Sequence, residues 1–242
     1  MMKKTILAVL LLSLSALAAE AQTQSLGLEM GFAQPILREN SLSSTKKLST
    51  STKLNGLKVG LVYDATLIKG FGFRMGVNYT YGGNHTDWTA KNSFATADKT
   101  KTRTQFHTIE VPIDWQYKFE IAKETYLIVY TGPAFQYTFS FDKTTYEKNE
   151  LTKTSSTTKA SHYATDADGD GTNDYQPWNL TWGVGAGFQF QNYYIRGGYD
   201  FGIVNHYKDR QFDCSTNTEN EYKMRGRFDQ WSIKIGIYFL NF

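Results

Sequence analysis

The feature that most constrains this chain is a strict alternation of residue type, held over stretches of about ten residues and repeated along its length. From Phe71 to Gly82 the bulky side chains of Phe71, Phe73, Met75, Val77, Tyr79 and Tyr81 fall on one parity, and Gly72, Arg74, Gly76, Asn78, Thr80 and Gly82 on the other. A period of two sorts residues onto the two faces of a β-strand and onto no face of a helix. The pattern returns with Ile109, Val111, Ile113, Trp115, Tyr117 and Phe119 set against Glu110, Pro112, Asp114, Gln116 and Lys118. It returns again over 57–64, 178–190 and 193–203, and further strands are expected over 26–32 and 126–141. The last segment is less regular. Trp231, Ile233, Ile235, Ile237 and Phe239 share one face while Tyr238, Leu240 and Phe242 share the other, which calls for a bulge or a frayed end.

Each segment has close to the roughly 9 to 11 residues that a tilted strand needs to cross a hydrocarbon layer. The links between them alternate in length. Short ones fall near Thr66 to Gly70, Glu120 to Thr125 and Gln191 to Asn192. Long polar ones span about Leu37 to Lys53, Gly83 to Arg103, Asp142 to Gln176 and Asn205 to Arg227. Together these predict an all-β fold: a closed antiparallel transmembrane β-barrel of eight strands, with short periplasmic turns and long extracellular loops.

A soluble barrel or sandwich would turn the same apolar face inward and the charged face to water. Three features oppose it. Glycine concentrates on the polar faces (Gly27, Gly31, Gly56, Gly60, Gly72, Gly76, Gly183, Gly185, Gly187, Gly198, Gly202), where a solvated strand gains nothing from it but a narrow lumen needs the space. Charges on those faces nearly cancel, with Lys58, Arg74, Lys118, Arg196 and Lys234 against Glu29, Asp64, Glu110, Asp114 and Asp200, so they can pair in a lumen. Finally, Tyr63, Tyr79, Tyr81, Trp115, Tyr117, Tyr137, Trp178 and Trp182 lie near strand ends and suit two interfacial girdles.

The N-terminal residues fit export. Lys3 and Lys4 precede an apolar run from Ile6 to Ala18 and then Ala19-Glu20-Ala21, the layout of a signal peptide over 1–21 ahead of a barrel domain over 22–242. The expected destination is the outer membrane. Cys214 is the only cysteine, so no internal disulfide can form. A net charge of +3 gives no reason to expect a nucleic-acid partner. The expected partners are outer-membrane lipid, the barrel-assembly machinery during insertion, and a binding partner outside the cell or within a complex.

Several segments resemble the PorT-type outer-membrane β-barrel family of Bacteroidota-like bacteria. Ile109 to Phe119 (IEVPIDWQYKF) is similar to that family's "L-E-[IV]-P" strand. Tyr130 to Phe135 (YTGPAF), Gly183 to Phe190 (GVGAGFQF) and Arg196 to Asn205 (RGGYDFGIVN) resemble its Gly-Pro, Gly-rich and late strands, in the same order. The aromatic end, Tyr238 to Phe242, is similar to the signal read by barrel-assembly machinery. The resemblance implies a barrel architecture and does not fix one activity.

The sharpest local motif lies in the third long link. Asp166, Asp168 and Asp170, followed by Gly171, Thr172 and Asp174, match the D-x-D-x-D-G opening of a calcium loop and resemble the Asp-rich repeats of thrombospondin type 3 modules. Carboxylates at alternate positions converge on one hard cation, Gly171 permits the turn, and the Thr172 carbonyl adds an oxygen. Pro177 stands where an EF-hand carries its closing Glu, so the site is expected to be weaker or to draw ligands from elsewhere. The competing reading is a solvated acidic turn.

His85, His107, His162 and His206 all fall in or beside the long links, which raises lipid-modifying or proteolytic chemistry as an alternative. No catalytic spacing ties them to a particular Ser or Asp. A small-solute channel is the third reading, yet eight strands leave an interior that side chains fill. The expected function is therefore non-enzymatic binding by the outer loops.

Overall fold

The computed structural model describes residues 23–42, 47–90, 98–164, 175–207, 211–213 and 221–241. Among them run β1 (Thr23–Leu42), β2 (Lys47–Lys53), β3 (Asn55–Ile68), β4 (Phe71–His85), β5 (Thr89–Ala90), β6 (Asp98–Ala122), β7 (Thr125–Asn149), β8 (Thr154–Ser161), β9 (Trp178–Phe190), β10 (Tyr193–Gly202), β11 (Gln211–Asp213) and β12 (Glu221–Asn241), with one 3-10 turn at His162–Ala164. Eight of these strands close a ring in the order β1-β3-β4-β6-β7-β9-β10-β12, and β12 pairs back onto β1. Every pairing is antiparallel. Closure leaves no open edge at membrane depth, so the backbone N–H and C=O groups of the ring find their partners in neighbouring strands.

Tight turns join the ring strands at one end. Lys69 and Gly70 both have positive φ (46° and 87°), as a two-residue type I′ hairpin requires. Gln191 (φ 54°) opens the two-residue link between Phe190 and Tyr193. This is the periplasmic end.

At the other end the strands run on past the membrane. β6 and β7 each have 25 residues, or about 80 Å at ~3.3 Å per residue, far more than a tilted crossing of a ~30 Å hydrocarbon core needs. The described residues of the long links expected to be irregular are thus largely strand. Their Thr and Tyr content favours extended backbone, and the β6–β7 ladder continues outward past one bulge at His107/Thr108, which sets Asp98 opposite Asn149. Above the ring the wall divides into two panels on opposite sides. One is β5, β6, β7 and β8; the other is β2, β1, β12 and β11.

The inside-out sorting matches the alternation. Leu28, Met30, Leu57, Val59, Leu61, Val77, Ile233 and Ile235 stand exposed on the outer face, while Lys58, Arg74, Asn78, Glu110, Gln116 and Arg196 are buried inside. Phe73 points outward but is only 1% exposed, because the rings of Tyr63 and Trp115 flank it at 6.0 and 6.4 Å. The irregular last strand resolves as a bulge. Leu26 pairs with Leu240 and Gly27 with Tyr238, so Phe239 is the extra residue. Phe239 and Leu240 both face out, and Tyr238 turns inward, 1% exposed.

Candidate functional site

The lumen is filled by a ladder of ion pairs. At its periplasmic end Asp64 accepts from Lys118 Nζ (2.8 Å), Gln116 Nε2 (2.8 Å) and the Tyr238 hydroxyl (2.7 Å). Above it, Glu29 pairs with Arg74 (2.5 Å) and Lys234 (3.2 Å), and Arg196 with Asp114 (3.1 Å). Nearest the outer mouth Glu110 is a hub. Its Oε1 accepts from Lys58 Nζ (2.8 Å) and Asn78 Nδ2 (3.2 Å), and its Oε2 from Lys58 Nζ (2.9 Å), Gln136 Nε2 (2.9 Å) and Gln230 Nε2 (3.1 Å).

All ten charges expected in the lumen are there, yet they do not pair one to one. Lys234 joins Arg74 on Glu29, and Asp200 has no ion pair among the described residues, its carboxylate meeting Gln230 Nε2 at 3.4 Å.

Three tyrosines turn inward, and of these the sequence pattern sets only Tyr238 apart from the apolar face. Tyr130, Tyr194 and Tyr238 sit directly opposite Gly185, Gly236 and Gly27 on the neighbouring strands. Each ring occupies space that a side chain on its glycine would take. The Arg196 guanidinium lies over the Tyr130 ring at 3.9 Å, and that of Arg74 over Tyr194 at 4.5 Å. The available signal is the pairing of inward glycines with off-parity aromatics across strands.

An apolar cap closes the outer mouth. Leu54, Phe106 and Phe141 are buried together, with Tyr163 and Phe228 packed against them. The turn at His162–Ala164 carries Tyr163 into this cluster. The cap is laced by Thr138 N–H to the Pro177 carbonyl (2.7 Å), Gln176 N–H to His206 O (3.0 Å) and His206 N–H to Gly226 O (2.7 Å). Around it, the Tyr207 hydroxyl donates to Glu39 (2.5 Å). At the opposite end, a polar vestibule of about 960 Å³ opens to the periplasm, lined by Lys69, Glu120, Glu124 and Asn192 among others.

Of the four histidines the structure joins two. His162 and His206 meet Nε2 to Nε2 at 3.1 Å with their rings 9° apart, an end-to-end contact in which one imidazole donates to the other. His107 lies on the outer face against the Tyr79 hydroxyl (2.7 Å), and His85 is exposed at the end of β4. The residues Asp166, Asp168, Asp170, Thr172 and Asp174 lie outside the described residues, as do residues 1–22 and Cys214. Among the described residues no group of three or more His, Cys, Asp or Glu could hold a metal ion.

Burial pushes the His162 imidazole down to about 4, with the Lys143 charge adding to the effect. Burial likewise pushes His206 down to about 3, with His162 adding and a backbone hydrogen bond to Gln176 opposing. Both are depressed below the unfolded value near 6.5, so the unfolded segment binds more protons than the cap. Cap stability is therefore complete above about pH 6.5 and is lost as pH falls towards 4. Hydrogen exchange at residues 162–164 and 203–207 is expected to speed up over that window, and the acid response is expected to vanish in His162→Phe/His206→Phe. An unchanged response in that variant would assign it elsewhere.

An inverted core of this kind, charged within and apolar without, suits only a lipid surrounding. The sequence profile of the outer membrane protein beta-barrel domain family matches residues 20–208. The chain belongs to that family. No curated protein matches it by sequence. Solved structures similar to this barrel include Neisserial surface protein A (13% identity, 87% of this chain and 97% of that chain covered, TM-score 0.34). They also include Ail, the attachment invasion locus protein of Yersinia pestis (10%, 88% and 98%, 0.32), and the outer membrane protease OmpT from Escherichia coli (11%, 90% and 97%, 0.39).

Proposed function

We propose that this outer-membrane barrel is a non-enzymatic, non-conducting surface protein that binds a partner through its two outer panels. The observation that carries the reading is the filled lumen beneath an apolar cap, together with strands that continue outward well beyond the membrane. Support for a sealed lumen comes from the burial of Glu110, Arg74 and Arg196 within it, beneath the cluster that Tyr163 packs on. The surface built outside is where the chain spends its remaining residues. In the panel of β6, β7 and β8 the Thr- and Ser-rich β8 is exposed, while the outer parts of β6 and β7 are mostly half-buried. Among the described residues β8 forms a ladder with β7 alone, a geometry open to strand addition by an extended segment of a partner.

Two measurements test this. Planar-bilayer recordings of the refolded barrel are expected to show no steady conductance, and a stable large conductance would refute the sealed lumen. Pull-down from extracellular fractions is expected to lose its captured partner when residues 144–159 are replaced by an Asn-Gly turn, with heat-modifiable gel migration retained. Equal capture by that variant would move the binding surface elsewhere.

We further propose that Asp166, Asp168, Asp170, Thr172 and Asp174 bind calcium and brace the segment that joins Ala164 to Tyr175. The support is the ligand spacing. Calorimetric titration is expected to show calcium heat that Asp168→Asn/Asp170→Asn abolishes, and silence at millimolar calcium would remove the site. The proposal of a PorT-type affiliation rests on the Ile109 to Phe119 strand and the Gly-rich strands after it; export by a signal peptide over 1–21 and insertion by barrel-assembly machinery accompany it.

A further inference from the structure

On the outer face of β12 the apolar residues Ile237, Ile235, Ile233 and Trp231 climb towards the outer mouth and then give way abruptly to Asp229, Arg227 and Arg225. The neighbouring strand β1 does the same. Phe32 packs on Trp231 at 5.4 Å, Gln34 accepts from the Trp231 indole N–H at 2.8 Å, and Arg38 follows four residues on. The register sets Arg38 directly opposite Arg227, and Arg225 opposite Asn40. Lys53 of β2 is paired with Ile36 on the same face.

Two like charges directly opposite across a ladder destabilise it unless an anion answers them. Asp229 answers in part. Only 1% exposed, it accepts from Arg38 Nε (2.7 Å), the Tyr199 hydroxyl (3.0 Å) and the Gly202 N–H (2.9 Å), and it pairs with Arg227 Nε at 3.5 Å. Its lone pairs are thus committed within the protein. It acts as an anchor: Arg38 is further fixed by Nη2 on the Tyr199 hydroxyl (3.2 Å), while both guanidiniums stay about half exposed, at 43% and 53%. Among the described side chains, Arg38, Arg227, Arg225 and Lys53 against this one buried carboxylate leave a positive excess on this face of the three strands.

The height of the patch decides the partner. Asp229 lies two residues above Trp231, a rise of roughly 5 Å along a tilted strand, which is the depth of the headgroup layer above an interfacial aromatic. We propose that Arg38, Arg227 and Arg225 form a site for the phosphate-bearing headgroup of an outer-leaflet lipid. Asp229 takes the Nε of both arginines and Tyr199 one Nη2 N–H of Arg38, which leaves Arg38 Nη1 and the terminal N–H groups of Arg227 to meet phosphate oxygens, whose geometry the guanidinium fork matches. The acyl chains of the same lipid would lie along Phe32, Ile233 and Trp231 below.

The test uses the refolded full barrel in phosphatidylcholine vesicles with or without diphosphorylated lipid A, followed by native mass spectrometry of retained lipid. Wild type is expected to prefer the diphosphorylated lipid over a dephosphorylated one. Arg38→Gln/Arg227→Gln is expected to weaken that preference roughly tenfold to thirtyfold, from about one charge interaction per arginine. Lys99→Gln/Lys148→Gln, on the opposite panel, is expected to keep it. Should the paired variant fail the heat-modifiable migration check, Arg225→Gln, which has no tie to Asp229, is expected to weaken the preference about fivefold. Unchanged preference in either variant overturns the site. So does equal protection from thermal unfolding by inorganic phosphate in phosphatidylcholine vesicles, which would mean a free-ion site.

Discussion

Replacing Glu110 by Gln is expected to lower the unfolding free energy of the refolded barrel by about 3–5 kcal/mol, the cost of leaving one partner of a buried ion pair alone. The substitution is isosteric, and its effect follows from donor counting. Both carboxylate oxygens of Glu110 receive Lys58 Nζ, Oε1 also receives Asn78, and Oε2 also receives Gln136 and Gln230. Whichever way the new amide is turned, its NH₂ faces at least two donors and accepts from neither. Lys58, 1% exposed, loses its counterion. Denaturant unfolding followed by tryptophan fluorescence and by gel migration measures the loss. Lys58→Met/Glu110→Leu, which removes both charges, is expected to recover the part of the loss owed to the unpaired charge, because an apolar pair needs no counterion, and to leave the cost of the Asn78, Gln136 and Gln230 donors. A double variant as unstable as E110Q would show that Glu110 acts through its amide neighbours alone. A single variant within about 0.5 kcal/mol of wild type would refute the hub.

This hub shows how far the sequence carries. Alternate positions place Glu110, Lys58 and Arg74 on the lumen face, and the near-cancellation of charge implies pairing there; both follow from the period of two and the cost of burial. Which cation meets which carboxylate depends on strand register and shear, which one strand's pattern does not contain. Lys234 accordingly reaches Glu29 rather than Asp200. The outer strands read as irregular links because Thr, Ser and Lys runs signal loops by polarity, yet they continue the ladders of the membrane part below, in β6 and β7 past a bulge at His107/Thr108. The cap is invisible in the sequence for a similar reason. His162 and His206 are 44 residues apart and meet only because β7 and β12 bring Phe141 and Phe228 within 6.2 Å. In the lipid-facing patch, Arg38 and Arg227 read as ordinary loop charges until the β1 and β12 pairing sets them side by side.

The glycines give the second large effect, and their positions make it specific. Gly198→Val is expected to destabilise the barrel by about 2–3 kcal/mol, although valine is the better strand former. A Cβ at Gly198 would press on the Tyr130 hydroxyl and on the Val184 carbonyl at 2.9 Å. The ring of Tyr130 cannot retreat, because Gly185 lies beneath it on β9 and Arg196 covers it at 3.9 Å. Moving the ring therefore loosens Arg196 from Asp114. The adjacent Gly197 is the control: it faces outward, and a Cβ there meets only the Ser232 carbonyl at 3.7 Å. Gly197→Val is expected to be neutral or slightly stabilising. Shrinking the ring should make room, so in Tyr130→Ala/Gly198→Val the combined loss is expected to fall short of the sum of the two by about 1–3 kcal/mol. Additivity within about 0.5 kcal/mol would break the link between the tyrosine and its glycine, and equal losses at Gly197 and Gly198 would reduce both to backbone effects.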